Sequence, residues 1–460
     1  MTAPPGPPRS SAAGADGEVD PYLPTHGNAG YTVNRYELDL DYRVASNRLS
    51  ARARLHATAT RPLDRLSLDL AGLRVAKVTV NGRRAARYSQ RVGKLTIWLE
   101  SPVAVGAGVV LDIQYSGRPR PTVGTWGEVG WEELTDGVIV AGQPDGAPSW
   151  FPCNDHPSDK ASFSIAVTAD AGYHVVANGT LTERVVMSSR ERWCFEQREP
   201  MATYLATVQI GRYKVIETNA APVRQLAAVP ERLQGAFRHD FGRQQEMMVL
   251  FERLFGPYPF VDYTVVVADD ELEIPLEAQG LSVFGRNHLD GRRGHQRLVA
   301  HELAHQWFGN SLTVRRWQDI WLHEGFACYA EWLWSEGSGG PSADVLAGRA
   351  WDRLSALPQD ITVGDPGPAL MFDDRVYKRG ALTLHALRRT VGDATLVEIL
   401  RAWTQAHAHG TVVTDDFVDV ASRHTEAPLH ELFRSWLFEQ PLPALPGSRS
   451  WFPPRRGSRL

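Results

Sequence analysis

From about residue 31 to residue 216 the chain alternates apolar and polar positions in short runs. In "YELDLDY", Tyr36, Leu38, Leu40 and Tyr42 share one face and Glu37, Asp39 and Asp41 the other. That two-residue period is the signature of a half-buried strand. "RLSLDLAGLRVAKVTVNG" continues the pattern and ends in Asn81-Gly82, a pair suited to a tight hairpin turn. "KLTIWLES", "GVVLDIQYSG", "ASFSIAVTAD" and "ATYLATVQIGRY" repeat the style. The pattern predicts an antiparallel β domain of sandwich type.

After about Asn219 the period lengthens to that of helices. "FRHDFGRQQEMMVLFERLFG" is helical and is closed by Gly256 and Pro257, and "DYTVVVADD" is one short strand. "GRRGHQRLVAHELAHQWFGNS" and "WQDIWLHEGFACYAEWLWSEG" predict two helices joined by a short turn. Further helices follow at "YKRGALTLHALRRTVG", "ATLVEILRAWTQAHA" and "DDFVDVASRHT", and "LHELFRSWLFEQP" closes the ordered part. The expected organisation is a tail over 1–30, a β domain over 31–216, a mainly helical domain over 217–443 and a second tail over 444–460. No internal repeat is visible.

Composition narrows the partners. The 460 residues are 43% hydrophobic and 22% charged, with formal net charge −4. That balance gives no footprint for nucleic acid or a membrane surface. No apolar run is long enough to span a bilayer. The Pro/Ser/Gly-rich start lacks the basic and apolar regions of a signal peptide. Cys153, Cys194 and Cys328 have no metal-like spacing, so a reduced, cytoplasmic protein is the expectation. The oligomeric state is not encoded in any visible pattern.

The chemistry begins in the helix "RLVAHELAHQWFGNS". His301 and His305 lie four apart, so both imidazoles share a face and can reach one zinc ion. Glu302 sits about 100° round the helix, where it can act on a zinc-bound water without ligating. A catalytic zinc needs a third protein ligand and one free position. Glu324 in "WLHEGFA", on the next predicted helix, supplies it, giving a His-His-Glu site with one Zn2+ per chain. His323 beside it points away. Asp319 and Glu331 are candidate acceptors for ligand N–H groups, and Glu331 shares the face of Glu324. The tryptophans at 307, 317, 321, 332 and 334 read mostly as core.

At these residues the chain resembles the zinc aminopeptidases typified by aminopeptidase N, a gluzincin family whose relatives include a leukotriene epoxide hydrolase. "HELAHQWFGNSLTVRRWQDIWLHEGFACYAE" is similar to the family's zinc signature. "GQPDGAPSWFPCNDHPSDKASF", "EPMATYLATVQIGRY", "LFGPYPFVDYTVVV" and "VYKRGALTLHALR" resemble further family segments in the same order. The resemblance implies a thermolysin-like, mainly helical catalytic domain with a small sheet behind the β domain. It implies zinc on His301, His305 and Glu324, Glu302 as general base, and Tyr377 stabilising the oxyanion. It also implies that Glu277 and Gln143 hold the substrate's free α-amine, so that peptides with a free N-terminus lose their first residue.

Two departures stand out. Around Glu277 the family has Gly-x-Met-Glu-Asn, whereas this chain has "EIPLEAQGL", which leaves the preference for the first side chain open. The family's long members carry a further helical domain over the cleft, and a short form without it, with a more open site, is expected here. Epoxide hydrolysis on the same zinc site and a non-catalytic peptide-binding module are the alternatives. The acidic run "DDELE" (Asp269–Glu273) is a solvated loop or an added negative field near the amine end.

Overall fold

The computed structural model describes residues 19–447. Strand Tyr31–Arg43 forms as its alternation predicts, with Tyr36, Leu38, Leu40 and Tyr42 buried. Its polar side is a ladder of cross-strand charge pairs, among them Arg192–Asp39 and Arg190–Asp41, each at 2.8 Å. It runs antiparallel to Arg48–Ala59, with Leu38 opposite Ala53, and parallel to Ala161–Asp170, with Leu38 opposite Ile165. The parallel pair departs from the purely antiparallel expectation. A hairpin cannot join parallel strands, so about a hundred residues separate the two in sequence.

These strands are central in an eight-stranded sheet. A three-stranded sheet and a five-stranded sheet complete the β domain, and no sheet closes into a barrel. The hairpin at Asn81-Gly82 forms between Arg74–Val80 and Arg83–Arg84, with both turn residues at positive φ, 49° and 79°.

The second domain opens on a five-stranded mixed sheet, ordered 213–219, 224–230, 262–268, 281–285, 276–278. Strand Tyr213–Asn219 pairs with Arg224–Pro230, so the expected boundary at 216/217 cuts a strand of this sheet. Leu276–Ala278 is the antiparallel edge, opposite Leu281–Val283. The helices are α1 (Gln234–Asp240), α2 (Gln244–Phe255), α3 (Gln296–Ala304), α4 (Trp321–Gly337), α5 (Ala343–Ser355), α6 (Asp374–Val391), α7 (Asp393–Ala406), α8 (Thr414–Ser422) and α9 (Leu429–Phe433). The expected short turn between α3 and α4 is instead residues 305–320, which include the two-residue strand Thr313–Val314. Among the described residues no helix is long and apolar enough to cross a membrane.

The expected N-terminal tail lies outside the described residues up to 18, but residues 19–30 pack against the fold. Asp20 accepts from the Trp317 amide at 2.8 Å, and Asn28 Nδ2 donates to Asp69 at 2.9 Å. Tyr22 hydrogen-bonds Asp365 and accepts from the Gly367 amide at 2.6 Å. At the other end, Pro443 O accepts from the Trp351 indole at 2.7 Å, and residues 448–460 lie outside the described part.

Helices α4 and α6 cross where Gly325 meets Gly380. A Cβ at Gly325 would lie 2.9 Å from Gly380 Cα, and one at Gly380 would lie 2.8 Å from Gly325 Cα. The two missing side chains let the helix backbones touch, one residue after Glu324 and three after Tyr377. Either Gly→Ala change, at 325 or 380, is expected to destabilise by about 1–2 kcal/mol, although helix propensity alone favours alanine by about 1 kcal/mol. Urea denaturation checks this; an unchanged or raised midpoint would show that the crossing has slack.

Candidate metal centre and cleft

Helix α3 places His301 and His305 one turn apart, and α4 returns to bring Glu324 between them. His301 Nε2 and His305 Nε2 each lie 3.4 Å from Glu324 Oε2, and all three side chains are buried. Ligand atoms about 2.0–2.2 Å from one ion at tetrahedral angles stand about 3.3–3.6 Å apart. The two nitrogen–oxygen separations are therefore those of tetrahedron edges, and the donor set suits zinc. His301, His305 and Glu324 thus stand together in the fold, with potential ligand atoms within 4.8 Å of one another.

The other imidazole nitrogens are also occupied. His301 Nδ1 lies 2.8 Å from Glu331 Oε1, as the shared face with Glu324 suggests. His305 Nδ1 lies 3.0 Å from the carbonyl oxygen of Phe308. Each partner fixes its ring and leaves Nε2 to the ion. The Phe308 acceptor carries no side-chain signal, so the sequence does not reveal it. Asp319 is not brought to the ligands: it caps α8, accepting from the Thr414 amide at 3.0 Å and its hydroxyl at 2.6 Å. His323 Nε2 accepts from the Val314 amide at 2.8 Å, a structural role, and burial pushes its pKa down to about 3.

Glu302 is buried beside the ligands, and its Oε2 has no hydrogen-bond partner. Burial raises its pKa to about 7 against the pull of the two histidines. A carboxyl near that value exchanges a proton readily at neutral pH. Ligand-capable atoms of Glu277, Glu302 and His305 lie within 4.8 Å of one another, so Glu277 reaches the same spot from the edge strand. Burial holds the Glu277 carboxyl above its ordinary range. Gln143 lines the same cleft with a buried side-chain nitrogen lacking a partner. Tyr377, in the first turns of α6, lies with its ring nearly parallel to His301, centroids 6.1 Å apart. The structure thus brings all seven sequence-nominated residues to one cleft of about 1130 Å³.

Residues beyond the ligands brace this arrangement. Gln306 accepts from the Gly280 amide at 2.9 Å and donates to the Ala278 carbonyl at 3.1 Å. Asn310 donates to the same carbonyl at 2.9 Å. The residues after His305 therefore pin the edge strand that carries Glu277. Lys160 of the β domain donates to the carbonyls of Asn310, Ser311 and Gly410 at 3.0, 2.8 and 3.3 Å, tying the two domains behind the site. Arg379 anchors α6 to the carbonyls of Trp436 and Gln440, both at 2.7 Å.

The chain has recognisable relatives. A Peptidase M1 N-terminal domain model matches residues 32–205, and a Peptidase family M1 domain model matches residues 240–436. A leucyl aminopeptidase of Saccharolobus solfataricus is 27% identical over 423 residues, covering 84% of this chain and 51% of that protein. Human endoplasmic reticulum aminopeptidase 1 is 25% identical over 422 residues, covering 84% of this chain and 44% of that protein. The chain spans about half the length of the curated relatives it matches. A solved M1 zinc metallopeptidase of Deinococcus radiodurans has TM-score 0.85 and 31% identity, covering 93% of this chain and 98% of that one. A mutant of the same protein, solved with a Tyr-Ser-Ala substrate bound, matches with the same TM-score and coverage.

Burial pulls both ligand histidines down, but the neighbouring carboxylates outweigh it. Glu324 and Glu331 lift His301 to about 9, while Glu277 and Glu324 lift His305 to about 10. In the metal-free protein both rings are protonated below those values, and ligation needs both neutral. Metal binding is expected to release close to two protons, with apparent affinity rising up to about a hundredfold per unit between about pH 6 and pH 8. Zinc titrations in buffers of different ionisation enthalpy measure this; a pH-independent affinity would contradict it.

Proposed function

The chain belongs to peptidase family M1, and from that premise we propose that it is a zinc-dependent aminopeptidase that removes the first residue of peptides with a free N-terminus. The observation that carries the reading is Glu277 standing within 4.8 Å of Glu302 and His305. A carboxylate that close to the reacting centre leaves room for only one residue between the cleft end and the ion. It accepts a charge-assisted hydrogen bond from the substrate's ammonium group and so sets how far the peptide enters. The side-chain oxygen of Gln143 is the matching second acceptor. The relatives named as aminopeptidases, and the Tyr-Ser-Ala complex of the Deinococcus protein, support a peptide substrate.

His301, His305 and Glu324 would hold the ion, with His301 steadied by Glu331 and His305 by the Phe308 carbonyl. When bound, zinc supplies a Lewis acid that polarises the scissile carbonyl and acidifies water near neutral pH. Glu302 takes a proton on its unpaired Oε2 and delivers it to the departing amine. The Tyr377 hydroxyl, which makes no hydrogen bond among the described residues, donates to the oxygen on which charge develops. The three cysteines are free, which fits a reducing, cytoplasmic setting.

Two measurements test the proposal. Hydrolysis of aminoacyl chromogenic amides should stop with chelator and return with zinc. Glu302→Gln should bind zinc normally and lose a factor of about 100 or more in kcat. A Glu302→Gln enzyme turning over at the wild-type rate would remove its role as base.

Blocking the substrate amine should separate the terminal grip from general peptide binding. Losing a buried charge pair costs about 2–5 kcal/mol. N-acetylated peptides should therefore be cleaved with kcat/KM lower by roughly 30-fold to several thousand-fold. Equal cleavage of acetylated and free peptides would refute the role of Glu277 and Gln143.

A further inference from the structure

The cleft wall carries charges of both signs. Its strand-built side carries Glu128 and Glu132 from strand Gly127–Leu134, and Glu271 and Glu273 from the loop before the edge strand. Its helix-built side carries Arg349 and Arg353 of α5, together with Arg297 and Lys378 and the acids Glu302, Glu324, Glu331 and Asp374. Arg297 and Lys378 are already paired: Arg297 lies 3.5 Å from Glu331, and Lys378 lies 3.2 Å from Cys328 Sγ and 3.9 Å from Asp374. Arg349 and Arg353 are not. Among the described residues neither guanidinium has an ion pair or hydrogen bond. The acids of α5 do not serve them, since Asp344 is taken by His385 and Arg389, both at 2.9 Å, and Asp352 pairs with neither.

Both side chains are exposed where α5 borders the cleft. Arg349 and Arg353 are four apart, so the two cations repel along one face of α5. That face is set by packing. Ala343, Ala347 and Leu354 are buried on the inner side, and Leu346, Ala350 and both arginines line the cleft. Two unpaired cations thus border the cleft, and the arginine fork suits a carboxylate in particular.

We infer that Arg349 and Arg353 bind a carboxylate of the peptide downstream of the scissile bond. This rests on the aminopeptidase reading above. With the ammonium held at the Glu277 end, a carboxylate farther along the peptide has these two unpaired guanidinium groups on the same cleft to meet. The substrate class is then short peptides that carry a carboxylate at a fixed distance from the N-terminus. That carboxylate is either the chain's own C-terminus or an Asp or Glu side chain at the same position.

The test compares peptides of one sequence, two to six residues long, as free acids and as C-terminal amides. Expected is a lower KM for the acid, largest at one length, by roughly three- to tenfold, with kcat little changed and the preference shrinking in high salt. In Arg349→Gln/Arg353→Gln the acid-to-amide ratio should fall to one. In Arg253→Gln, which removes an equal charge on α2 outside the cleft, the ratio should persist. A C-amidated peptide with Asp at the favoured position regains the low KM if side-chain carboxylates are also read; failure to regain it assigns the subsite to the C-terminal carboxylate alone. An acid-to-amide ratio of one at every length in the wild-type enzyme, with peptides still cleaved, overturns this inference and leaves the aminopeptidase reading standing. No cleavage of any peptide by the zinc-loaded enzyme overturns both.

Discussion

Four carboxylates, Glu277, Glu302, Glu324 and Glu331, converge on two imidazoles inside a largely buried site. Taking that many charges out of water is costly unless opposite charge is close by. Much of the second domain can be understood as a response to this requirement. The neighbouring carboxylates hold both histidines' pKa values above the ordinary range, and a divalent cation between the three side chains would answer the same electrostatic need. Arg297 offsets Glu331 from the rim.

Keeping such a cluster in register demands a rigid frame. Gln306 and Asn310 bind the edge strand to the segment that follows the metal helix, so Glu277 and His305 move as one unit. Lys160 adds the β domain to that unit through three backbone carbonyls. The Gly325–Gly380 crossing brings α6 against α4, and Arg379 holds α6 to the end of the chain's ordered helices. Each device spends a polar or glycine-type interaction on geometry rather than on burying apolar surface, which the sheets already supply.

The cleft's two walls have different origins. Strands and the loop before the edge strand contribute Glu128, Glu132, Glu271, Glu273 and Glu277, while the helices contribute the cations Arg297, Arg349, Arg353 and Lys378 along with the acids Glu302, Glu324, Glu331 and Asp374.

Much of this was legible in the sequence. Two-residue alternation gave the strands of the β domain, because one face of each is solvated. The spacing of His301, Glu302 and His305 nominated the candidate metal centre, because a helix fixes which residues share a face. Glu331 could be nominated for the same reason. Tyr377, Glu277 and Gln143 were reached only through family resemblance, since nothing local marks them. Asp319 looked as suitable as Glu331 and proved to cap α8. The parallel pairing of Tyr31–Arg43 with Ala161–Asp170, the Phe308 carbonyl and the bracing by Gln306, Asn310 and Lys160 escaped the sequence altogether. Periodicity reports what each residue's own element does with it; contacts between distant segments, and those made by backbone atoms common to every residue, exist only once the chain has folded.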